Sequence, residues 1–178
     1  MPHSFDPTMY GSANDGHNGI VLRYLGNFCG RRQPNPLIKA VQRLYREQPE
    51  LLQGVVIELV GGYGAFPHLC FKPSPQAYSV YAASGLQDFF GTYGERRFVA
   101  VIDAPFEQSV FLPSKLVNYM GAQRPIFAIT PPGMSARLVS DLGGLVAHPN
   151  DLDEIAAKLA DRSRGCACPE GGGAIILR

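Results

Sequence analysis

No apolar run in this chain approaches the roughly 20 residues that a membrane-spanning helix requires, so no membrane span is expected. Basic clusters are also missing: beyond short pairs such as Arg31-Arg32 and Arg96-Arg97 the charges are dispersed, and the formal net charge is only +1. A nucleic acid or an anionic bilayer needs a larger positive field, so neither is expected as a partner and a small ligand is the better fit. The opening Met1-Pro2-His3-Ser4-Phe5-Asp6-Pro7 has neither the charged nor the apolar part of a signal peptide, which gives a cytoplasmic expectation.

Cysteine is scarce. Cys29, Cys70, Cys166 and Cys168 are too few and too scattered for a disulfide framework, and a cytosolic setting would keep them reduced. Cys166-Ala167-Cys168 has no histidine or second cysteine pair nearby to complete a tetrahedral set, so no metal is expected. The loop after the first strand does not spell Gly-x-Gly-x-x-Gly, which argues against dehydrogenase-type dinucleotide binding. There is no internal repeat.

What the chain does have is enough apolar material for one core: 178 residues, 46% of them apolar, near the size of a single domain. A polar stretch from Tyr10 to Gly19 leads into Ile20-Val21-Leu22-Arg23-Tyr24-Leu25, a β-rich run that stops at Gly26. Asn35 reads as an N-cap with Pro36 at the first helical position, and Leu37, Val41, Leu44 and Tyr45 recur at helical spacing until the helix ends before Pro49. Val55 to Val60, closed by Gly61-Gly62, is a second strand, nearly continuous in apolar residues as expected where both faces of a sheet are covered.

Further on, a helix is expected around Tyr78 to Phe90, a strand over Val99 to Asp103, and a helix from Lys115 to about Met120 capped by Ser114. Ile126 to Ile129 is a strand, Pro131-Pro132-Gly133 a turn, Ser135 to Leu142 a short helix ended by Gly143-Gly144, and Leu145 to Ala147 a last strand. Asn150 then caps a helix in which Ile155 and Leu159 face the core. Strands alternating with helices predict an α/β, Rossmann-like fold: a mainly parallel sheet with helices on both faces.

In such sheets ligands bind outside the carboxyl ends of the strands, which selects three loops. In Gly26-Asn27-Phe28-Cys29-Gly30-Arg31-Arg32, two glycines let the backbone approach a ligand and the arginines are placed to pair with phosphate oxygens. Taken alone, the loop reads equally as an ordinary turn with solvated arginines. Val110 to Lys115 opens directly into a helix whose N–H groups and dipole favour an anion, with Lys115 beside it, although a solvated first-turn lysine would look the same. Thr130 to Ser135 is again a tight turn opening a helix, or a plain connection.

The ordered set carries a resemblance. Pro113-Ser114-Lys115-Leu116-Val117-Asn118-Tyr119-Met120-Gly121-Ala122-Gln123-Arg124-Pro125-Ile126 looks like the donor-site helix of GT-B glycosyltransferases, family 4-type enzymes above all. Pro2 to Pro7 resembles the segment joining their two lobes. Leu22 to Phe28, Leu59-Val60-Gly61-Gly62, the donor helix, and Gly143-Gly144-Leu145-Val146-Ala147-His148-Pro149-Asn150-Asp151 then follow in that family's order. The likeness runs from Pro2 to about Ala160, except between Tyr63 and Phe98.

The resemblance implies a donor-binding lobe for a nucleotide-diphosphate sugar, with no metal and no cofactor, and an unidentified acceptor held by an N-terminal lobe with which this one would pair. Residue by residue, it implies that Gly26 and Asn27 lie near the scissile bond, that Arg31 or Arg32 faces the diphosphate, and that Ser114 and Lys115 offer it donors. Many relatives carry two glutamates eight positions apart on the donor segment, where this chain has Val110 and Asn118. A neutral Asn118 is a weaker acceptor for ribose than a carboxylate, and Val110 leaves sugar recognition to the turn around Gly133 and Ser135. Residues 1–18 are thus expected to be an interlobe-like leader, 19–161 the nucleotide-sugar-binding domain, and 162–178 a loose tail. A catalytically degenerate nucleotide-binding module and a ligand-free interaction domain are the alternatives.

Overall fold

The computed structural model describes residues 20–52, 55–60, 78–81 and 97–164. Six strands, β1 (Ile20–Leu25), β2 (Val55–Val60), β3 (Tyr78–Tyr81), β4 (Arg97–Ile102), β5 (Ile126–Ile129) and β6 (Leu145–Ala147), form one sheet in the order β3-β2-β1-β4-β5-β6. Every pairing is parallel, from Ile20 opposite Val55 to Ile129 opposite Ala147. Helices α1 (Asn35–Glu47), α2 (Lys115–Gly121), α3 (Met134–Asp141) and α4 (Leu152–Arg164) accompany the strands, with a 3-10 turn at Pro49–Leu52. The fold is the α/β, Rossmann-like arrangement that the alternation of elements predicts.

Both faces of the sheet are covered, and β4 shows why its sequence is an unbroken apolar run. Alternate side chains of a strand point to opposite faces. Ala100 and Ile102 join the core beneath α1 and α4, with Leu37, Val41, Leu44, Ile155 and Leu159, while Val99 and Val101 meet Leu116 and Tyr119 of α2 and Val139 of α3. Fully burying one such leucine or valine is worth about 1.5–3 kcal/mol, so a polar residue at any of these positions would be costly. The glutamate that interrupts β2, Glu58, lies in register with Arg23 of β1 and forms an ion pair with it.

Four expectations need correction. Helix α1 begins one residue early: Pro34 is the capping residue, its carbonyl accepts the Ile38 N–H, and Asn35 makes no side-chain cap. Tyr45 is 40% exposed, because the buried stripe of α1 is Leu37, Ile38, Ala40, Val41 and Leu44. Tyr78–Tyr81 is a strand paired with β2 and not the start of a helix; residues 82–90 lie outside the described residues. Asp151, not Asn150, caps α4, its Oδ1 accepting the Glu154 N–H at 2.8 Å.

Helix α3 stops where Gly143-Gly144 predicts. Gly143 has φ 72°, a conformation that a Cβ disfavours, while Gly143 N–H bonds Ser140 O and Gly144 N–H bonds Val139 O, the paired bonds of a Schellman stop. The tail expected from Arg162 is helical as far as Arg164. The leader, Gly61-Gly62, and Cys70, Cys166 and Cys168 lie outside the described residues.

Candidate functional site

The strand order runs outward from β1 to β3, then returns to place β4 on the other side of β1. That reversal is the switch point where the loops after β1 and β4 diverge and leave a crevice at the carboxyl edge. The loop after β1 starts at Gly26 and the loop after β4 at Asp103, so both open beside this crevice.

Gly26 has φ 135°, a region that side chains avoid, and a Cβ there would lie 3.1 Å from Lys115 Nζ. The lysine reaches back from the start of α2 to donate to Leu25 O at 2.8 Å, and its ammonium sits 4.1 Å from the centroid of the Tyr24 ring. Tyr24 is fully buried and stacks on Phe28 at 4.4 Å. Burial, then the nearby Arg32 charge, pulls the Lys115 ammonium down to about 7, with Asp103 acting in the opposite direction. Burial likewise pushes the Tyr24 phenol up to about 12.

The two arginines stand on aromatic rings of the loop after β4. Arg31 lies 5.5 Å from the Phe106 centroid and Arg32 5.2 Å from that of Phe111, distances at which a cation is attracted to the ring face. Arg32 Nη2 is also 4.0 Å from Asp103 Oδ1. Its buried Nε has no hydrogen-bond partner among the described residues.

Asp103 is itself buried. Its Oδ1 accepts the Ala104 N–H at 2.8 Å, and its Oδ2 accepts the Ser109 hydroxyl at 2.7 Å and lies 3.5 Å from Thr130 Oγ1. Ser109 in turn pairs with the turn after β5: its N–H donates to Pro132 O, and it bridges to Gly133. A Cβ on Gly133 would fall 1.9 Å from Ser109 O, so glycine is required there by close backbone approach.

The structure therefore brings Gly26, Lys115 and Arg32 together and sets Arg31 beside them on Phe106. Asn27 is exposed in the same loop, and Asn118 is partly exposed in the second turn of α2. Ser114 occupies the cap position of α2 and is exposed, yet its side chain makes no cap bond. Two early N–H groups of that helix, on Leu116 and Val117, are taken by Pro113 O and Ser114 O. Gly133 is partly exposed, whereas Ser135 is fully buried and gives its hydroxyl to Phe111 O at 2.7 Å. Val110 is 94% exposed.

Sequence reasoning missed Tyr24, Asp103 and Ser109, and reached Thr130 only as the start of the third candidate loop. The available signal was a single carboxylate, Asp103, ending an apolar strand at the edge where ligands bind. Among the described residues no group of three or more histidine, cysteine, aspartate or glutamate side chains is placed to hold a metal ion, and no helix is long and apolar enough to cross a membrane. A groove of about 290 Å³ between α1 and α4, lined by Arg43, Glu47 and Asp153, contains none of these site residues.

No family model and no curated protein matches the chain. Among solved structures it is similar to Anabaena HepE in complex with UDP-glucose, with a TM-score of 0.58 and 16% identity over 88% of this chain and 45% of HepE. The chain thus spans less than half the length of that structure, and the likeness is one of fold: an α/β, Rossmann-like parallel sheet.

Proposed function

We propose that this chain is the donor-binding lobe of a two-lobed, family 4-like GT-B glycosyltransferase, which transfers a hexosyl group from a nucleotide diphosphate to an acceptor held by an N-terminal lobe. The observation that carries this reading is the meeting of Lys115, Arg32 and the Gly26 turn at the switch point of the sheet. Arg32 is near enough to Lys115 for its charge to depress the ammonium, so two cationic side chains converge where an anion is expected. The fold likeness to a protein solved with UDP-glucose supports the same ligand class.

The chemistry is a charge problem. Breaking a sugar–phosphate bond leaves negative charge on the nucleoside diphosphate, and fixed donors aimed at that charge are worth roughly 2.7–4 kcal/mol each by analogy with oxyanion holes. Arg32 and Lys115 supply positive charge without a metal, Gly26 and Asn27 line the approach, and Arg31 and Ser114 flank it. Asn118 is assigned to the ribose and the Gly133 turn to the sugar, while Ser135 acts by holding that turn against Phe111. A cytoplasmic setting belongs to the same reading.

Val110 and Asn118, standing where the resembled enzymes often carry glutamates, favour a second reading: a nucleotide-binding module that has lost catalysis. The two readings separate when the chain is combined with an acceptor lobe, which restores transfer only under the first.

The direct test is a thermal-shift series with UDP, GDP, ADP, CDP and TDP. A ligand at 100 times its dissociation constant stabilises the fold by about 2.7 kcal/mol. The expected result is a clear rise with one nucleotide, undiminished by EDTA and lost in Lys115→Ala. No rise with any of them, in folded protein, would sink the donor-lobe reading.

A further inference from the structure

We infer that Asp103 is a positioning residue that orients Arg32 for an incoming oxyanion, directly through its carboxylate and indirectly through the aromatic platform under the guanidinium. The inference rests on the donor-site reading for its ligand but not for its geometry.

The direct part is the approach of Arg32 Nη2 to within 4.0 Å of Asp103 Oδ1. At that separation a weak pair on the surface would contribute little, but the Asp103 side chain is only 7% exposed and that of Arg32 24%, so screening by water is reduced. The carboxylate cannot turn toward solvent, because Ala104 N–H and the Ser109 hydroxyl anchor its two oxygens.

The indirect part runs through Ser109. The Ser109 hydroxyl donates to Asp103 Oδ2 at 2.7 Å, and its oxygen accepts the Phe111 N–H at 3.2 Å. Phe111 is the ring on which Arg32 stands, and its carbonyl is held from the other side by Ser135 Oγ at 2.7 Å. Asp103 thereby fixes both the end of the guanidinium and the surface beneath it. Phe111 is about half exposed, so these bonds add to the backbone tie between Ser109 and the Pro132-Gly133 turn in fixing where the ring lies.

One donor is left over. Arg32 Nε is buried and has no hydrogen-bond partner among the described residues, and an unsatisfied buried donor costs free energy that a bound oxyanion would recover. With the guanidinium held at one end by Asp103, the Nε side is the part still able to form a charge-assisted bond. No covalent step is involved.

The experiment is NMR of the Arg32 Nε–Hε group in the full chain, with and without Asp103→Asn, alongside calorimetric titration with UDP in the wild type, Asp103→Asn, Arg32→Ala and the double variant. The expected result is an ordered Arg32 signal in the wild type that becomes mobile in Asp103→Asn. UDP binding should weaken by about tenfold on Asp103→Asn, within the coupling that neighbouring groups show, and the same change should have little effect where Arg32 is already alanine. An Arg32 signal equally ordered in Asp103→Asn overturns the inference, as does an equal loss of UDP affinity in both arginine backgrounds. If the wild type binds no UDP but Arg32 still loosens in Asp103→Asn, the positioning role stands and the UDP assignment fails. Should Asp103→Asn not fold, Ser109→Ala removes the hydroxyl that bonds both Asp103 Oδ2 and the Phe111 N–H while keeping the Asp103 carboxylate, and must also loosen Arg32; if it does not, the indirect part is wrong.

Discussion

Lys115 Nζ donates a 2.8 Å hydrogen bond to the carbonyl of Leu25, 90 residues earlier in the chain, and so ties the start of α2 to the end of β1. The seat is largely withdrawn from water, and the ammonium is pulled down to about 7. Its charge is therefore adjustable near neutral pH.

An anion raises the affinity of Lys115 for its proton, so the bound state titrates above 7 and affinity falls as pH rises through and beyond that value. Calorimetry of UDP binding from pH 6 to 9 should show this decline in the wild type and a flatter profile in Lys115→Met. Stability moves the other way. Folding lowers this lysine from 10.5 to about 7, so the unfolded chain binds more protons in between, and the group's contribution to stability rises with pH across that window. Tyr24, raised from 10.0 to about 12, contributes stability that is lost at still higher pH. Urea titrations at pH 7 and 9 should give a gain for the wild type that Lys115→Met lacks.

Gly133→Ala places a methyl 1.9 Å from the Ser109 carbonyl oxygen, and the obstruction is backbone. The two turns must separate, at a cost of about 1–3 kcal/mol by analogy with overpacking. Denaturant midpoints should fall accordingly, and the Ser109 amide, which donates to Pro132 O, should lose protection in hydrogen exchange.

Asp151→Ala removes the carboxylate that accepts the Glu154 N–H at the start of α4. Loss of such a cap costs about 1 kcal/mol. The exposed neighbour Asn150 makes no such bond through its side chain, so Asn150→Ala should leave the thermal midpoint within experimental scatter while Asp151→Ala lowers it.

The legible parts of the fold were those with a period. Strands β1, β5 and β6 coincide with their apolar runs, and the helix stops at Pro49 and Gly143 follow from backbone chemistry. Tyr78-Ser79-Val80-Tyr81 was misread because four residues hold too little of either period; its tyrosines and valine favour a strand, and pairing with β2 decides it. For the candidate site, glycine turns and cations near strand ends pointed to Gly26, Arg32 and Lys115, which the structure brings together. Asp103 escaped because its importance lies in which donors converge on it. Those donors come from Ser109 and Thr130, and their approach is a product of tertiary structure that spacing along the chain does not reveal. Ser135 misled for the opposite reason: a serine at a turn suggests a ligand hydroxyl contact, but packing of α3 turns it inward.

The placement of β4 against β1 also governs how the molecule assembles. Val21 pairs with Arg97 only after the chain has extended past two other strands. Ordering so long a connection is entropically demanding and slows the barrier crossing, whereas β1, α1 and β2 can associate early. The crevice between Gly26 and Lys115 is therefore a late product of folding: a nascent chain displays the Gly26 turn well before it contains Lys115, and the two meet only once both halves have docked.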